Sequence, residues 1–140
     1  MKYTLCFLFT PDLLEVCLQY QMHGPCKGTW NGVGGKLEET DLIVGYGCIR
    51  EIKEEVGLRL SLDQIVSVVH CKFASGNELY VFGSICEKWQ VSQQEDEPIE
   101  WFDVNKVTCE AWDSSKYAGE GNLCFYIPLA LHYLSNGAVG

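Results

Sequence analysis

The sequence predicts an α+β fold, an α/β/α sandwich in which a mixed β-sheet lies between helices. Short segments rich in aromatic and β-branched residues predict strands. One central segment with apolar residues four positions apart predicts a helix, and an amphipathic segment near the C-terminus predicts another. The chain has 140 residues, no internal repeat and no linker-like stretch, so residues 1–140 are expected to form one domain.

The predicted strands are separated by turn-forming residues. They are expected over residues 3–9, 15–21, 65–73, 79–89 and 99–104. Pro11-Asp12 separates the first two, which are therefore expected to pair antiparallel across a short loop. Residues 23–36 hold five glycines among fourteen residues and are expected to form a loop.

One helix is predicted over residues 43–56, where apolar or small residues form a single stripe. The stripe consists of Val44, Cys48, Ile52 and Val56. The closing helix is predicted over residues 123–134, and an acidic, glutamine-rich loop is expected over residues 90–98. No apolar run approaches the roughly 20 residues of a membrane-spanning helix, so none is expected.

Charge and cysteine content limit the classes of function. The formal net charge of −9 disfavours broad binding to a nucleic-acid backbone. A small phosphorylated substrate still fits if divalent cations lie between the carboxylates and the phosphates. The eight cysteines form no CxxC pair and are expected to be buried, reduced thiols of a cytoplasmic protein, rather than disulfides or a metal site.

Three glutamates of the central helix are expected to share one side. Glu51, Glu54 and Glu55 are related by i, i+3 and i, i+4 spacing. Their mutual repulsion and their place in the last turns before Gly57 both destabilise the helix. Oxygen-rich clusters of this kind suit Mg²⁺ or Mn²⁺. The alternative is a solvated helix face, but the glycine-rich loop upstream can approach the same site closely.

The segment from Gly35 to Leu58 resembles the Nudix box, in which a glycine and a spaced acid precede R-E-U-x-E-E-x-G-U, where U is aliphatic. The matching residues are Arg50, Glu51, Ile52, Glu54, Glu55, Gly57 and Leu58. Asp41 replaces the spaced glutamate, and eight residues separate it from Arg50 where the pattern has seven. Gly45 and Gly47 would allow the chain to absorb the insertion, and the role of Asp41 is left open.

The resemblance implies a hydrolase in which divalent ions on the box helix direct water against a pyrophosphate link. Mg²⁺ is the implied cofactor, with Mn²⁺ as the alternative. The implied metal ligands are the carbonyl of Gly35 and the side chains of Glu51, Glu54, Glu55 and Glu95, the last standing six residues before Trp101. Arg50 would orient the glutamates. Glu51 and Glu54 are both candidates for the general base, and Asp96 or Glu97 could replace Glu95.

The run from Gly28 to Lys36 is similar to the corresponding segment of MutT-like enzymes that hydrolyse oxidised purine nucleoside triphosphates. This similarity implies that Asn31 hydrogen-bonds the purine and that Lys36 also binds the substrate. Asn122, just before the last predicted helix, resembles in position the asparagine that reads guanine in bacterial MutT, and is therefore a further implied substrate contact. The alternative for Asn31 is a turn residue before Gly32. The alternative for Asn122 is the N-cap of the last helix.

The sequence therefore predicts an enzyme that converts a nucleoside triphosphate to the monophosphate and pyrophosphate, with 8-oxo-dGTP as the preferred candidate. One alternative is the hydrolysis of ADP-ribose, a nucleotide sugar or a dinucleoside polyphosphate. The other is a catalytically inactive nucleotide-sensing domain. The expected partner is a small nucleotide, with no membrane contact and no stable nucleic-acid binding, and a homodimer is left open.

Overall fold

Seven strands form one sheet in the computed structural model, which describes residues 1–136. They are β1 (Lys2–Phe9), β2 (Glu15–Tyr20), β3 (Trp30–Asn31), β4 (Val33–Lys36), β5 (Val66–Lys72), β6 (Glu78–Ile85) and β7 (Ile99–Asp103). The order is β3-β2-β1-β6-β5, with β4 paired to β1 and β7 paired to β2. Among these seven strands, β1 and β6 pair parallel and the other pairs are antiparallel, so the predicted mixed sheet is confirmed. Residues 137–140, the end of the predicted domain, lie outside the described residues.

Helices cover both faces of the sheet. They are α1 (Val44–Val56), α2 (Val104–Glu110) and α3 (Leu123–Ser135). α1 packs Cys48, Ile52 and Val56 against one face, while α2 and α3 pack Val107 and Ile127 against the other. The predicted sandwich is therefore confirmed. None of the helices in residues 1–136 has the length and apolar character that crossing a membrane requires.

β1 is the central strand, and both of its faces are buried. Its side chains alternate between the two faces. Phe7 and Phe9 lie in the core beneath α2 and α3, whereas Cys6 and Leu8 lie in the core beneath α1. This alternation places Thr4, two residues before Cys6, on the α1 side of the sheet.

The segment predicted as a glycine-rich loop in fact contains β3 and β4, so this prediction was wrong in part. β4 pairs with β1 through Gly34 and Gly35. A Cβ atom at Gly34 would overlap the backbone carbonyl of Thr4. Glycine here permits a close strand pairing rather than an irregular loop.

Two strand ends differ from the prediction because a further element follows them closely. The strand expected over 79–89 ends at Ile85, and Trp89 lies in a short 3₁₀ turn. The strand expected to end at Val104 ends at Asp103, whose carboxylate caps α2 by accepting from the Lys106 N–H at 2.9 Å. α2 was not predicted, because its seven residues are too few to show a helical period.

All eight cysteines are free thiols, but only four of them are buried, so the expected burial was wrong for the other half: Cys109 is exposed, and Cys26, Cys71 and Cys124 are partly exposed. The buried ones, Cys6, Cys17, Cys48 and Cys86, all lie in the core beneath α1. Burial raises the pKa of Cys17 to about 12 and that of Cys86 to about 11. These thiols therefore pack as small apolar groups rather than react as thiolates.

Candidate active site

β4 brings its glycine backbone against α1. Gly35 stands opposite Thr4 in the β1–β4 pair. A Cβ atom at Gly35 would overlap the Glu51 carboxylate, so only glycine allows this approach. Glu51 is itself buried, with 9% of its surface exposed. The structure therefore places the Gly35 backbone and the Glu51 carboxylate, both implied metal ligands, side by side.

Arg50 lies at the centre of a group of carboxylates. Its Nη1 atom donates to Glu51 Oε1 at 3.0 Å and to Glu54 Oε2 at 3.2 Å. Its Nε and Nη2 atoms donate to the two carboxylate oxygens of Asp41 at 3.1 and 2.8 Å. Glu38 adds an ion pair at 3.5 Å. The Asp41 hydrogen bonds are the main reason that the pKa of Arg50 is raised, so Arg50 stays a cation that contacts two of the box glutamates.

Asp41, whose role the sequence left open, is the main anchor of Arg50. Its carboxylate accepts the two guanidinium bonds and also the Glu38 backbone N–H, at 2.8 Å. Hydrogen bonding from Arg50 lowers the pKa of Asp41. α1 begins loosely, because its N-cap residue Ile43 makes no side-chain capping bond and Leu42 is 93% exposed. The insertion lies between Asp41 and Arg50, so it does not change the spacing of the glutamates that follow.

Glu55 is held from a different element. The side-chain amide of Gln19, on β2, donates to Glu55 Oε2 at 2.9 Å. Burial raises the pKa of Glu55, and the Gln19 hydrogen bond partly offsets this rise. Repulsion from Glu97, Glu51 and Glu95 raises it further. Sequence reasoning missed Gln19, although a polar residue at an inward position of a predicted strand was an available signal.

The acidic loop after β6 is tied to the C-terminal end of α1. The backbone N–H groups of Ser92 and Gln94 donate to the carbonyls of Val56 and Glu55 at 3.0 and 3.1 Å. The Gln94 side chain also packs against Gly57, where α1 ends. The loop is thereby brought to the turn of α1 that carries Glu55.

The three consecutive acids of this loop have different surroundings. Asp96 Oδ2 bonds with His23 Nε2 at 2.6 Å, and Glu97 Oε2 accepts from the Met22 N–H at 2.6 Å. These two acids fasten the loop to the segment that follows β2. Glu95 is exposed, and its charge lies close enough to affect the pKa of a carboxylate on α1. Its position is therefore compatible with the predicted role as a further ligand.

Asn31 and Lys36 lie on β3 and β4, which are consecutive along the chain, but they have different surroundings. Asn31 is the register partner of Gln19, so both side chains lie on the α1 side of the sheet. Its Oδ1 accepts from the Gly32 N–H at 2.8 Å, which is the turn-like contact of the alternative interpretation. Lys36 is exposed at the end of β4, and its backbone carbonyl accepts from Arg50 Nη2 at 3.4 Å.

Asn122 lies at the start of α3, in the helix layer on the opposite face. It occupies the N-cap position, but its side chain makes no capping bond. Its carbonyl accepts from the N–H groups of Phe125 and Tyr126 at 2.9 and 3.0 Å. The chain before it follows the edge of the sheet, where Tyr117 bridges to Trp30. The structure therefore does not bring Asn122 onto the sheet face that carries Asn31.

The donor atoms of the site fit a divalent cation. Glu51, Glu54, Glu55 and the Gly35 carbonyl supply oxygen atoms only, which Mg²⁺ prefers. Burial raises the pKa of Glu51, as it does for Glu55, and Arg50 offsets this only in part. The negative charges of ionised Glu51 and Glu55 are therefore not fully compensated by cationic side chains of the protein. Across residues 1–136, no three acidic, histidine or cysteine side chains form a ready-made cage. An ion would thus keep waters and substrate oxygens among its ligands.

A buried hydroxyl beside this site has no protein partner. Thr4 Oγ1 is the one buried side-chain polar atom without a hydrogen bond in the described part of the chain. Thr4 is 2% exposed and stands opposite Gly35. An unpartnered buried hydroxyl costs about 1–3 kcal/mol. A ligand or water bound at the site would relieve that cost.

Known proteins are similar to this chain in sequence and in fold. A family model of the NUDIX domain matches residues 3–119. The oxidized purine nucleoside triphosphate hydrolase of Mus musculus is 28% identical over 119 residues, which cover 82% of this chain and 74% of that protein. The structure of MutT from Aliivibrio salmonicida and Vibrio cholerae is similar with a TM-score of 0.70 at 16% identity, covering 92% of this chain and 94% of that one.

A second solved structure is similar over nearly the whole chain. The NUDIX domain of Shewanella oneidensis NrtR, in complex with ADP ribose, has a TM-score of 0.74 at 17% identity and covers 96% of this chain and 88% of that one. At these identities, both solved structures support the fold. The family match spans most of the chain, including the glycine-rich strand and the carboxylates of α1. The chain belongs to the NUDIX family and is a Nudix hydrolase.

Proposed function

We propose that this hydrolase converts purine nucleoside triphosphates to monophosphates and pyrophosphate, with Mg²⁺ as its cofactor and Mn²⁺ as a substitute. The observation that carries the proposal is the contact between the Gly35 backbone and Glu51, on the same side of the sheet as Asn31. Nudix hydrolases generally use divalent metal ions. A chain with net charge −9 also needs cations in order to accept a polyphosphate.

The metal would be held by the Gly35 carbonyl and by Glu51 and Glu55, with Glu54 and Glu95 as further ligands. When bound, it would lower the pKa of a water molecule and neutralise charge that develops on the phosphates. The orphan hydroxyl of Thr4 supports this placement, because it lies beside Gly35 and lacks a protein partner.

Glu54 is the better candidate for the general base. Arg50 contacts both Glu51 and Glu54 and so limits the orientations of their carboxylates. The Glu54 side chain is 50% exposed, whereas the Glu51 side chain is 11% exposed and packs against Gly35. An accessible carboxylate held by one charge-assisted bond can accept a proton from water, while a buried one is better suited to hold an ion.

The substrate assignment rests on Asn31. Its Oδ1 is bonded to the Gly32 N–H, so its amide nitrogen is left to donate to a base edge. The mouse relative bears the name oxidized purine nucleoside triphosphate hydrolase, and 8-oxo-dGTP is therefore the proposed preferred substrate. Lys36 is proposed as a secondary substrate contact. Asn122 is left out of the proposed site, because it lies at the start of α3, in the helix layer on the opposite face of the sheet.

The environment of the enzyme is part of the proposal. Eight free cysteines are typical of a reducing compartment, which supports a cytoplasmic location. The proposed partner is a small nucleotide, bound by residues 1–140 acting as one domain.

A substrate screen with and without Mg²⁺ tests the proposal. The panel holds 8-oxo-dGTP, dGTP, ADP-ribose, a nucleotide sugar and a dinucleoside polyphosphate, with pyrophosphate and phosphate detected separately. We expect Mg²⁺-dependent release of pyrophosphate, fastest from 8-oxo-dGTP. In Asn31→Ala kcat/KM for the purine triphosphates should fall by about 10-fold, the scale of one lost hydrogen bond.

ADP-ribose is the second candidate substrate, because a similar fold was solved in complex with it. Turnover of ADP-ribose far above that of every triphosphate would overturn the triphosphate proposal and leave the hydrolase intact. Hydrolysis in ¹⁸O-labelled water then identifies the phosphorus that is attacked, since the label appears only in the product that receives the water oxygen.

A further inference from the structure

Gln19 has a buried side-chain amide, whereas the other buried residues of β2 are apolar. It is 1% exposed, and its neighbours Val16, Cys17 and Leu18 are fully buried. In the sheet it lies between Asn31 on β3 and Ile99 on β7. A buried amide is retained in a fold when its polar atoms are hydrogen-bonded, so the partner of Gln19 indicates what the residue does.

That partner is the one box glutamate to which Arg50 makes no hydrogen bond in the described part of the chain. Gln19 Nε2 donates to Glu55 Oε2 at 2.9 Å, across 36 residues of sequence. The guanidinium of Arg50 donates instead to Glu51 and Glu54. The glutamates of α1 are therefore oriented by two separate donors, one cationic and one neutral.

The neutrality of this donor has a physical consequence. An arginine bonded to a carboxylate compensates its charge and competes with a metal ion for the same oxygens. An amide donates one hydrogen bond without adding a charge. A carboxylate oriented by an amide thus keeps its full negative charge for a cation.

We infer that Gln19 is a positioning residue, which holds the Glu55 carboxylate in one orientation by a single neutral hydrogen bond and so prepares it to bind the divalent ion. This inference rests on the proposed function, because it assigns to Glu55 the role of a metal ligand. Gln19 acts through Glu55 and contacts no reacting atom.

Gln19→Met tests the inference, since methionine keeps the length and most of the volume of glutamine and removes only the amide. Gln19→Asn is the second variant, because it keeps a buried amide that is one methylene too short for the contact. Gln64→Met is the matched control at an exposed glutamine whose side chain bonds with Ser61. The readouts are Mn²⁺ affinity by calorimetry without nucleotide, kcat and KM, and Tm.

Both Gln19 variants should weaken Mn²⁺ binding and lower kcat by about 10-fold, with KM little changed, which is the scale for losing a partner that orients a metal ligand. Gln64→Met should behave like the wild type. In a Glu55→Gln background, Gln19→Met should change Mn²⁺ affinity by less than about twofold, because its effect passes through Glu55. Wild-type Mn²⁺ affinity in both Gln19 variants, or an undiminished effect in the Glu55→Gln background, would overturn the inference.

The two proposals fail in distinguishable ways. If the wild type cleaves no triphosphate while Gln19→Met still weakens Mn²⁺ binding, the proposed substrate is wrong and the positioning role stands. If the wild type cleaves 8-oxo-dGTP while Gln19→Met matches it in both Mn²⁺ affinity and kcat, the proposed function stands and the positioning role is refuted.

Discussion

The glutamates of α1 lie on one side of the helix but are held in two different ways, so that the site itself has an Arg50 side and a Gln19 side. Glu51 and Glu54 share Arg50, which donates to them at 3.0 and 3.2 Å. Glu55 instead accepts from the amide of Gln19 at 2.9 Å. The first arrangement uses a cation from the same helix, and the second uses a neutral donor from a strand.

The difference shows how one site can combine orientation with retained charge. Burial raises the pKa of both Glu51 and Glu55. Arg50 offsets this at Glu51 through a hydrogen bond and its charge, whereas Gln19 offsets it at Glu55 through a hydrogen bond alone. The Glu55 side should therefore depend more strongly on a bound cation than the Glu51 side does.

The largest expected effect comes from removing a carboxylate on either side. Glu54→Gln and Glu55→Gln should each lower kcat by at least about 100-fold, the scale of losing a catalytic group. Steady-state kinetics with 8-oxo-dGTP measures this. If activity survived both substitutions, Glu54 and Glu55 would not act together in one catalytic site.

Arg50→Lys separates the two sides. Lysine cannot reproduce the paired bonds to Asp41 while also reaching Glu51 and Glu54, so kcat should fall by about 10- to 100-fold. The Gln19 contact lies outside this network, so combining Arg50→Lys with Gln19→Met should give an approximately additive loss. A double variant no worse than Arg50→Lys alone would show that the two sides are a single network.

Gly35→Ala should disturb the Glu51 side selectively. The added methyl group would overlap the Glu51 carboxylate and displace it, so kcat should fall by about 10-fold. Steady-state kinetics measures this loss. Calorimetry should show weaker Mn²⁺ binding, with Glu55→Gln still adding its own loss. Wild-type affinity and turnover in Gly35→Ala would mean that Glu51 moves freely and is not positioned by β4.

The smallest expected effect is on the stability of the fold. At neutral pH, replacing Glu55 should raise Tm, whereas replacing Asp41 should lower it. The pKa of Glu55 is raised in the folded protein above its usual value of 4.5. The folded state therefore binds the proton more tightly, and this stabilising contribution is lost as pH rises through the folded pKa. Without divalent ions, Glu55→Gln should therefore raise Tm at neutral pH, and this gain should shrink as pH falls through the raised folded pKa and be absent below about 4.5.

Asp41 should behave in the opposite way, because Arg50 lowers its pKa below the usual 3.8. Its stabilising contribution is present above that value and is lost as pH falls through the lowered folded pKa. Asp41→Asn should therefore lower Tm at neutral pH, and the deficit should close in acid. Thermal denaturation followed by circular dichroism across this pH range measures both variants. If Tm depended on pH in the same way in the two variants, the predicted difference between Glu55 and Asp41 would be wrong.

Much of the fold followed from local patterns. The stripe of Cys48, Ile52 and Val56 predicted α1 to within one residue at its start, because helical spacing is visible wherever one face is buried. The antiparallel pairing of β1 and β2 followed from two apolar segments around a turn. β3, β4 and α2 did not follow, since they are short and depend on neighbours for their hydrogen bonds.

In the candidate site, too, some contacts could be predicted from the sequence and others could not. The spacing of Arg50, Glu51 and Glu54 on one helix was sufficient to predict that they would lie near each other. The bidentate contact of Asp41 was left open, because an insertion at a helix start can be absorbed in several ways. Gln19 was missed, because whether a strand residue meets a distant helix depends on how the sheet packs against it.

The sequence by itself determined the helix that carries the carboxylates, the glycine that lets β4 approach it and the family of the chain, since these depend on periods and motifs of a few residues. Only the tertiary structure decided which donor orients which carboxylate. Gln19 and Glu55 are 36 residues apart, and their contact exists because β2 and the last turn of α1 border the same core, through Cys17 and Val56. Such a contact depends on register and packing, which no local spacing encodes.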